Sequence, residues 1–192
     1  RHDTGAWDYA RAADGRGVDI VQNSADTGNA RENGRVVGVE TSRGFIRAKK
    51  VGIPVAGSSS LLASMVDMRL PIESHVLQAF VSEGLKPLID CVMTFGAGHF
   101  YVSQSDKGGL VFGGDIDGYN SYAQRGNLAT IEDVMEGGMA LWPGLGRVRL
   151  LPHWGGIMDM SMDGSPIIDR TDIGCLHLNA CWFYGGFNAT PA

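Results

Sequence analysis

The sequence predicts an α+β fold, and three observations carry the prediction. Helical spacing of apolar residues is confined to short stretches, clearest near the N-terminus and again from Thr130 to Trp142. The rest alternates apolar runs with Gly, Asn and Ser turns, the pattern of antiparallel strands. Glycine supplies 28 of the 192 residues, about twice the usual share near 7%. It has no three-residue period, and 44% of the chain is hydrophobic, so neither collagen nor a disordered tract fits.

Taken in order, Asp3 to Arg16 places Trp7, Ala10 and Ala13 or Asp14 on one side of a helix, with Asp3 or Thr4 as cap and Gly17 as stop. Val18 to Val21 reads as a strand. Asn33-Gly34 is a hairpin signal leading into Val36 to Thr41, and Ser42-Arg43-Gly44 turns the chain into Phe45 to Ala48. Lys49 to Val55 is a short strand ending in Ala56-Gly57-Ser58-Ser59-Ser60, and Leu61 to Met65 a short helix. His75 to Val81, Phe100 to Gln104 and Gly109 to Gly114 read as strands, the last two joined by the turn Ser105 to Gly108. Thr130, with Asp133 three residues on, caps a helix that ends at Pro143-Gly144. Arg147 to Met162 is extended, and Pro166 to Ile168 and Cys175 to Asn179 bracket a turn. These strands predict one mainly antiparallel sheet of roughly six strands.

Composition excludes several functions. With 16 Lys and Arg against 21 Asp and Glu, no basic stripe is available for nucleic acid. No apolar run approaches the ~20 residues of a membrane helix. Cys91, Cys175 and Cys181 form no CxxC pair and no disulfide framework, which fits a reducing, cytoplasmic setting. The five histidines show no ligand spacing, so no metal site is expected. GxGxxG, GxxxxGK[ST], HExxH and GxSxG are all missing. Bare backbone at Gly57 can meet a phosphate or a flat ring, or simply serve a strand-to-helix turn. In Trp182-Phe183-Tyr184-Gly185-Gly186-Phe187 a core would supply the aromatics but would not call for Gly-Gly. Trp154-Gly155-Gly156 repeats that pairing of bulk and bare backbone.

A family resemblance emerges from blocks in order: Arg1-His2-Asp3 with Trp7, Ala10 and Arg11; Gly17 to Asn23; Asn33 to Val39; Leu70 to His75; Tyr101 to Gln104; Phe112 to Asp117; Trp154 to Asp159; Asp163 to Ile168; and Gly185 to Phe187. Together they resemble the beta subunits of heterotetrameric sarcosine oxidases, members of the D-amino-acid-oxidase-like flavoproteins. The likeness runs from Arg1 to Ala192.

The resemblance implies an FAD-binding domain remnant of α/β type at 1–69, an antiparallel-sheet substrate domain at 70–162, and a return to the FAD domain at 163–192. The glycine-rich dinucleotide loop is then expected upstream of Arg1, and a further helix after Pro191. Gly57 and Gly185-Gly186 are implied as flavin-facing turns, and Gly113-Gly114 and Trp154-Gly155-Gly156 as substrate-domain turns. His2 is implied as the covalent attachment point of FMN; His75, also in a matching block, is the rival and is read as packing or sheet structure. Asp26, Phe183, Gly186 and Asn188 fall on implied FAD contacts. Three of them depart from the pattern: Asp26 replaces an apolar residue, Phe183 a glycine, and Asn188 the lysine expected beside the flavin, so no positive charge is brought there. The implied activity is oxidation of sarcosine or a similar small secondary amino acid. Its electrons pass from FAD through FMN to oxygen, giving hydrogen peroxide with formaldehyde or methylene-tetrahydrofolate. Alpha-, gamma- and delta-type subunits are the implied partners. A single-flavin oxidase or dehydrogenase, and a non-catalytic homologue, remain as alternatives.

Overall fold

The computed structural model describes residues 2–96, 99–151 and 153–186. Helix α1 (His2–Asp14) stops where Gly17 takes φ +83° and Val18 N–H donates back to Ala13 O at 3.1 Å, a left-handed stop of the expected kind. Residues 18–21 are not a strand. Val18, Ile20 and Val21 are exposed, and no ladder holds this segment among the described residues. Apolar alternation alone does not make a strand without a partner to take its hydrogen bonds.

Among the described residues, three sheets replace the single one expected. The first is a meander of β1 (Asp26–Glu32), β2 (Arg35–Thr41) and β3 (Gly44–Arg47). Its first turn has both Asn33 and Gly34 at positive φ, the geometry that matches strand twist in a two-residue hairpin. After β4 (Val51–Ile53), a 3-10 turn (Ala56–Ser58) and α2 (Ser59–Ser64), the long β5 (Ile72–Gly84) begins. Strands β6 (Met93–Phe95), β7 (Phe100–Gln104), β8 (Gly109–Ile116) and β9 (Trp154–Ser161) join it in a five-stranded antiparallel sheet of order β6-β7-β8-β5-β9. The third sheet has β4 parallel to β11 (Leu176–Ala180), which pairs antiparallel with β10 (Ile167–Arg170).

Glycine placement is corrected too: Gly113-Gly114 and Trp154-Gly155-Gly156 lie inside strands β8 and β9 rather than in turns. Helix α3 (Leu128–Leu141) begins two residues before Thr130. Asn127 is its cap, its Oδ1 accepting from Thr130 N–H at 2.9 Å. Asn competes well for this role, and Thr130 is committed elsewhere, its hydroxyl donating to Asp117 at 3.2 Å. A 3-10 turn (Pro143–Arg147) follows, so only the later part of 147–162 is strand.

Two cores organise the chain. Val36, Ile53, Val66, Leu176 and Leu178 bind the meander to the mixed sheet. Phe80, Phe100, Val102, Leu110 and Phe112 of the five-stranded sheet pack on Val134 of α3 and on Leu145. Phe80 and Phe112 stack with centroids 5.5 Å apart.

Candidate active site

Strand β5 sorts its side chains by parity. Ser74, Val76, Gln78, Phe80 and Ser82 are buried, while His75, Leu77, Ala79 and Val81 are half-buried. Because α3 covers the even side, the odd residues and their ladder partners form the opposite face. One row crosses all five strands there: Thr94, Tyr101, Gly113, Ala79, Trp154. Beside it, Leu77 faces Gly156 and His75 faces Met158. Small residues in mid-row therefore make a trough between Tyr101 and Trp154. A Cβ on Gly113 would lie 3.0 Å from Tyr101 Oη and 2.4 Å from Gln78 O, so this close packing requires glycine.

Chemically the trough is apolar with two polar groups. Burial pushes the Tyr101 phenol above its ordinary value, which keeps it a neutral hydrogen-bond donor. The His75 ring sits with Nδ1 2.8 Å from Asp117 O and Nε2 3.2 Å from Glu73 Oε2.

A second feature lies where β4 and β11 end side by side; its turns meet the even face of the large sheet through Ser74 and Ile157, opposite the trough. Beyond β4, Ala56 takes φ +45° and enters the turn at Ala56–Ser58; beyond β11, Cys181 and Phe183 take φ +63° and +47° around a 3-10 turn (Phe183–Gly185). Loops at the carboxyl ends of adjacent parallel strands are where open α/β sheets hold ligands, and non-glycine residues kept in the left-handed region concentrate at such sites. Both turns pack on β9. Gly57 is pressed so tightly that a Cβ would sit 2.4 Å from both Cγ2 and O of Ile157. Ser60 nearby has a buried hydroxyl with no partner among the described residues.

The predicted residues are distributed unevenly. Phe183 opens the second turn, and Gly186 caps it. Asp26 opens β1 opposite Thr41, its Oδ1 accepting from Gly28 N–H at 2.9 Å. That is the outer end of the hairpin, remote from Arg35, where β2 bridges to Gly174. His2 begins α1, but its side chain, like all of Asn188, lies outside the described residues. Tyr101, Met158 and the trough were missed, though the period-2 pattern of β5 and β9 could have separated the two faces. Among the described residues no cluster of three or more His, Cys, Asp or Glu is placed to hold a metal ion, and no helix is long and apolar enough to cross a membrane.

Cys181 adjoins the second turn and is fully buried. Burial first, then the charges of Asp159 and Asp163, push its thiol up to about 11. It therefore stays protonated at pH 8 and alkylates slowly. Exposed Cys91 is expected to react first with iodoacetamide and Cys181 last, as peptide mass mapping over time will show; early labelling of Cys181 would contradict this geometry.

Comparison with known proteins decides the family. Residues 5–192 match the family described as DAO, FAD dependent oxidoreductase. The chain belongs to this family. It is 74% identical over 192 residues to sarcosine oxidase subunit beta of Rhizobium meliloti (strain 1021), covering 100% of this chain and 46% of the relative. It is 47% identical over 191 residues to the subunit of the same name from Arthrobacter sp, covering 100% of this chain and 47% of the relative. The chain thus spans about half the length of these curated relatives. The fold matches L-proline dehydrogenase from P.horikoshii at TM-score 0.80 and 23% identity, over 93% of this chain and 49% of that one. It also matches glycine oxidase from Geobacillus kaustophilus at TM-score 0.80 and 16% identity, over 94% and 48%. The D-amino-acid-oxidase-like α+β fold is therefore the family's own.

The site suits the family's cofactor. The FAD fit rests on bare backbone at the turn: a Cβ on Gly185 would meet nothing within 4 Å. A flat ring can therefore approach the turn at Gly185, and the orphaned Ser60 hydroxyl offers a donor beside Gly57.

Proposed function

We propose that this chain is part of a beta-type subunit of a sarcosine-oxidising flavoenzyme. The observation that carries the reading is 74% identity across all 192 residues to a sarcosine oxidase subunit beta. When bound, FAD would supply two-electron oxidation of the amine C–N bond, and FMN a route for the electrons to oxygen, with hydrogen peroxide and a one-carbon unit as products. Phe183 and Gly186 would line the FAD side of the site, with Asn188 near the ring. The Tyr101–Trp154 trough would seat the small secondary amino acid, excluding water with apolar surface while the Tyr101 hydroxyl orients its polar end. His2 would carry FMN covalently, at a contact with alpha-type partner chains. Asn188, where the resemblance implies lysine, brings no charge to the ring.

The test uses the full-length protein with its partner subunits. Anaerobic sarcosine is expected to bleach the visible flavin absorption, and mass spectrometry to find an FMN adduct on the peptide containing His2. A bleachable FAD without that adduct would favour the single-flavin reading. A flavin that no small secondary amine bleaches would favour the non-catalytic one.

A further inference from the structure

We infer that Ser74 and Asp159 form a clamp that positions both cofactor-facing turns, and that they act as positioning residues without touching the cofactor. The cofactor part of this rests on the reading of the site above. The two residues stand directly opposite each other across β5 and β9, and their exposures are only 1% and 4%. On one side of the pair, Ser74 Oγ donates to Gly57 O at 2.9 Å. On the other, Asp159 Oδ2 accepts from Cys181 N–H at 2.5 Å. One cross-strand pair thus holds a carbonyl of the turn after β4 and an amide of the turn after β11.

The polarity explains the residue types. A hydroxyl can donate to a carbonyl, whereas a backbone N–H needs an acceptor, and a carboxylate makes the stronger, charge-assisted bond. Burying a carboxylate is costly without a partner, so its presence beside a backbone amide at a left-handed residue calls for a reason. Ser74 is itself fixed, its N–H donating to Asn120 Oδ1 at 3.3 Å and its hydroxyl lying 3.4 Å from Tyr122 Oη. The next residue on β9, Met158, faces the trough opposite His75. The pair therefore sets the spacing between the turns and the trough.

The experiment compares Ser74→Ala, Asp159→Ala, Asp159→Asn and the Ser74→Ala/Asp159→Ala double variant in the full-length protein. Without added FAD, Asp159→Ala is expected to speed hydrogen exchange of the Cys181 amide about tenfold or more. Asp159→Asn, whose amide oxygen still accepts, should stay within about threefold. On FAD titration, Asp159→Ala should weaken binding about tenfold and shift the visible bands, Ser74→Ala should weaken it by about threefold to fivefold, and Asn should restore most of the loss. The double variant should lose less than the product of the single effects, because the turns are joined through one pair. Unchanged exchange at Cys181 in Asp159→Ala overturns the clamp. Faster exchange with unchanged FAD affinity and bands overturns its positioning role. Wild-type protein that binds no FAD would refute the reading of the site, while the exchange result still decides the clamp.

Discussion

Replacing Gly57 by alanine is expected to lower the melting temperature of the protein by roughly 6–12 °C. The added Cβ would lie 2.4 Å from Ile157 Cγ2 and O and 2.6 Å from its carbonyl carbon. Two of those three atoms are backbone, so no rotamer change relieves the overlap, and the turn must lift off β9. Overpacking of this kind costs about 3 kcal/mol at its upper end, and each kcal/mol is worth about 2–4 °C in a unit of this size. Gly156→Ala is the control, since its Cβ meets nothing within 4 Å. It should leave the melting temperature nearly unchanged while weakening binding of the small amine, because a methyl there projects into the trough. Calorimetry on both variants decides the matter: a Gly57→Ala melting temperature equal to that of wild type would show that the close approach relaxes freely.

Asp117→Ala should destabilise the fold by about 3–5 kcal/mol, because it strands several buried donors at once. Asp117 is 3% exposed. Its Oδ1 accepts from Gln78 Nε2 at 2.9 Å, from Thr130 Oγ1 at 3.2 Å, and from Asn127 Nδ2. Asn127 caps α3, and Gln78 is fully buried and accepts from Asn127 N–H at 3.2 Å. One carboxylate therefore ties the start of α3 to the middle of β5. Three neutral donors satisfy the charge in place of a cation, a network that is stable only while complete. A loss of this size is a large part of the ~5–15 kcal/mol that holds a typical domain together. Asp117→Asn keeps an acceptor oxygen in place and should cost far less. Denaturant unfolding of the two variants is the measurement, and equal losses for Ala and Asn would overturn the donor-stranding argument. The backbone carbonyl of Asp117 holds the His75 ring, and neither substitution removes it.

How much of this was legible in the sequence varied with how local the cause was. Asn33-Gly34, the strand–turn–strand from Phe100 to Gly114 and the stop at Gly17 were readable because each is decided by a few adjacent residues. The cap of α3 was misplaced by three residues, since the choice between Asn127 and Thr130 depends on Asp117, distant in sequence. Val18 to Val21 misled because their apolar character has no strand partner among the described residues. The strand glycines misled in the opposite way. Gly113 looks like a turn residue, but it is required by Tyr101 and Gln78 pressing on it from neighbouring strands.

For the site, sequence blocks alone pointed to the flavoprotein family and singled out the Gly57 and Gly185-Gly186 segments. They could not reveal the trough. Thr94, Tyr101, Gly113, Ala79 and Trp154 become neighbours only through four strand registers, and a slip of one residue in any of them would turn its strand's side chains to the other face. Nor could they pair Ser74 with Asp159, 85 positions apart by the difference of their numbers. By itself, the amino-acid sequence determined the α+β class, the family and the excess of bare backbone. The tertiary structure decided which glycines face a neighbour and which face open space. The reason is physical: propensity and periodicity act along the chain, whereas contact, burial and hydrogen-bond partnership are settled across it.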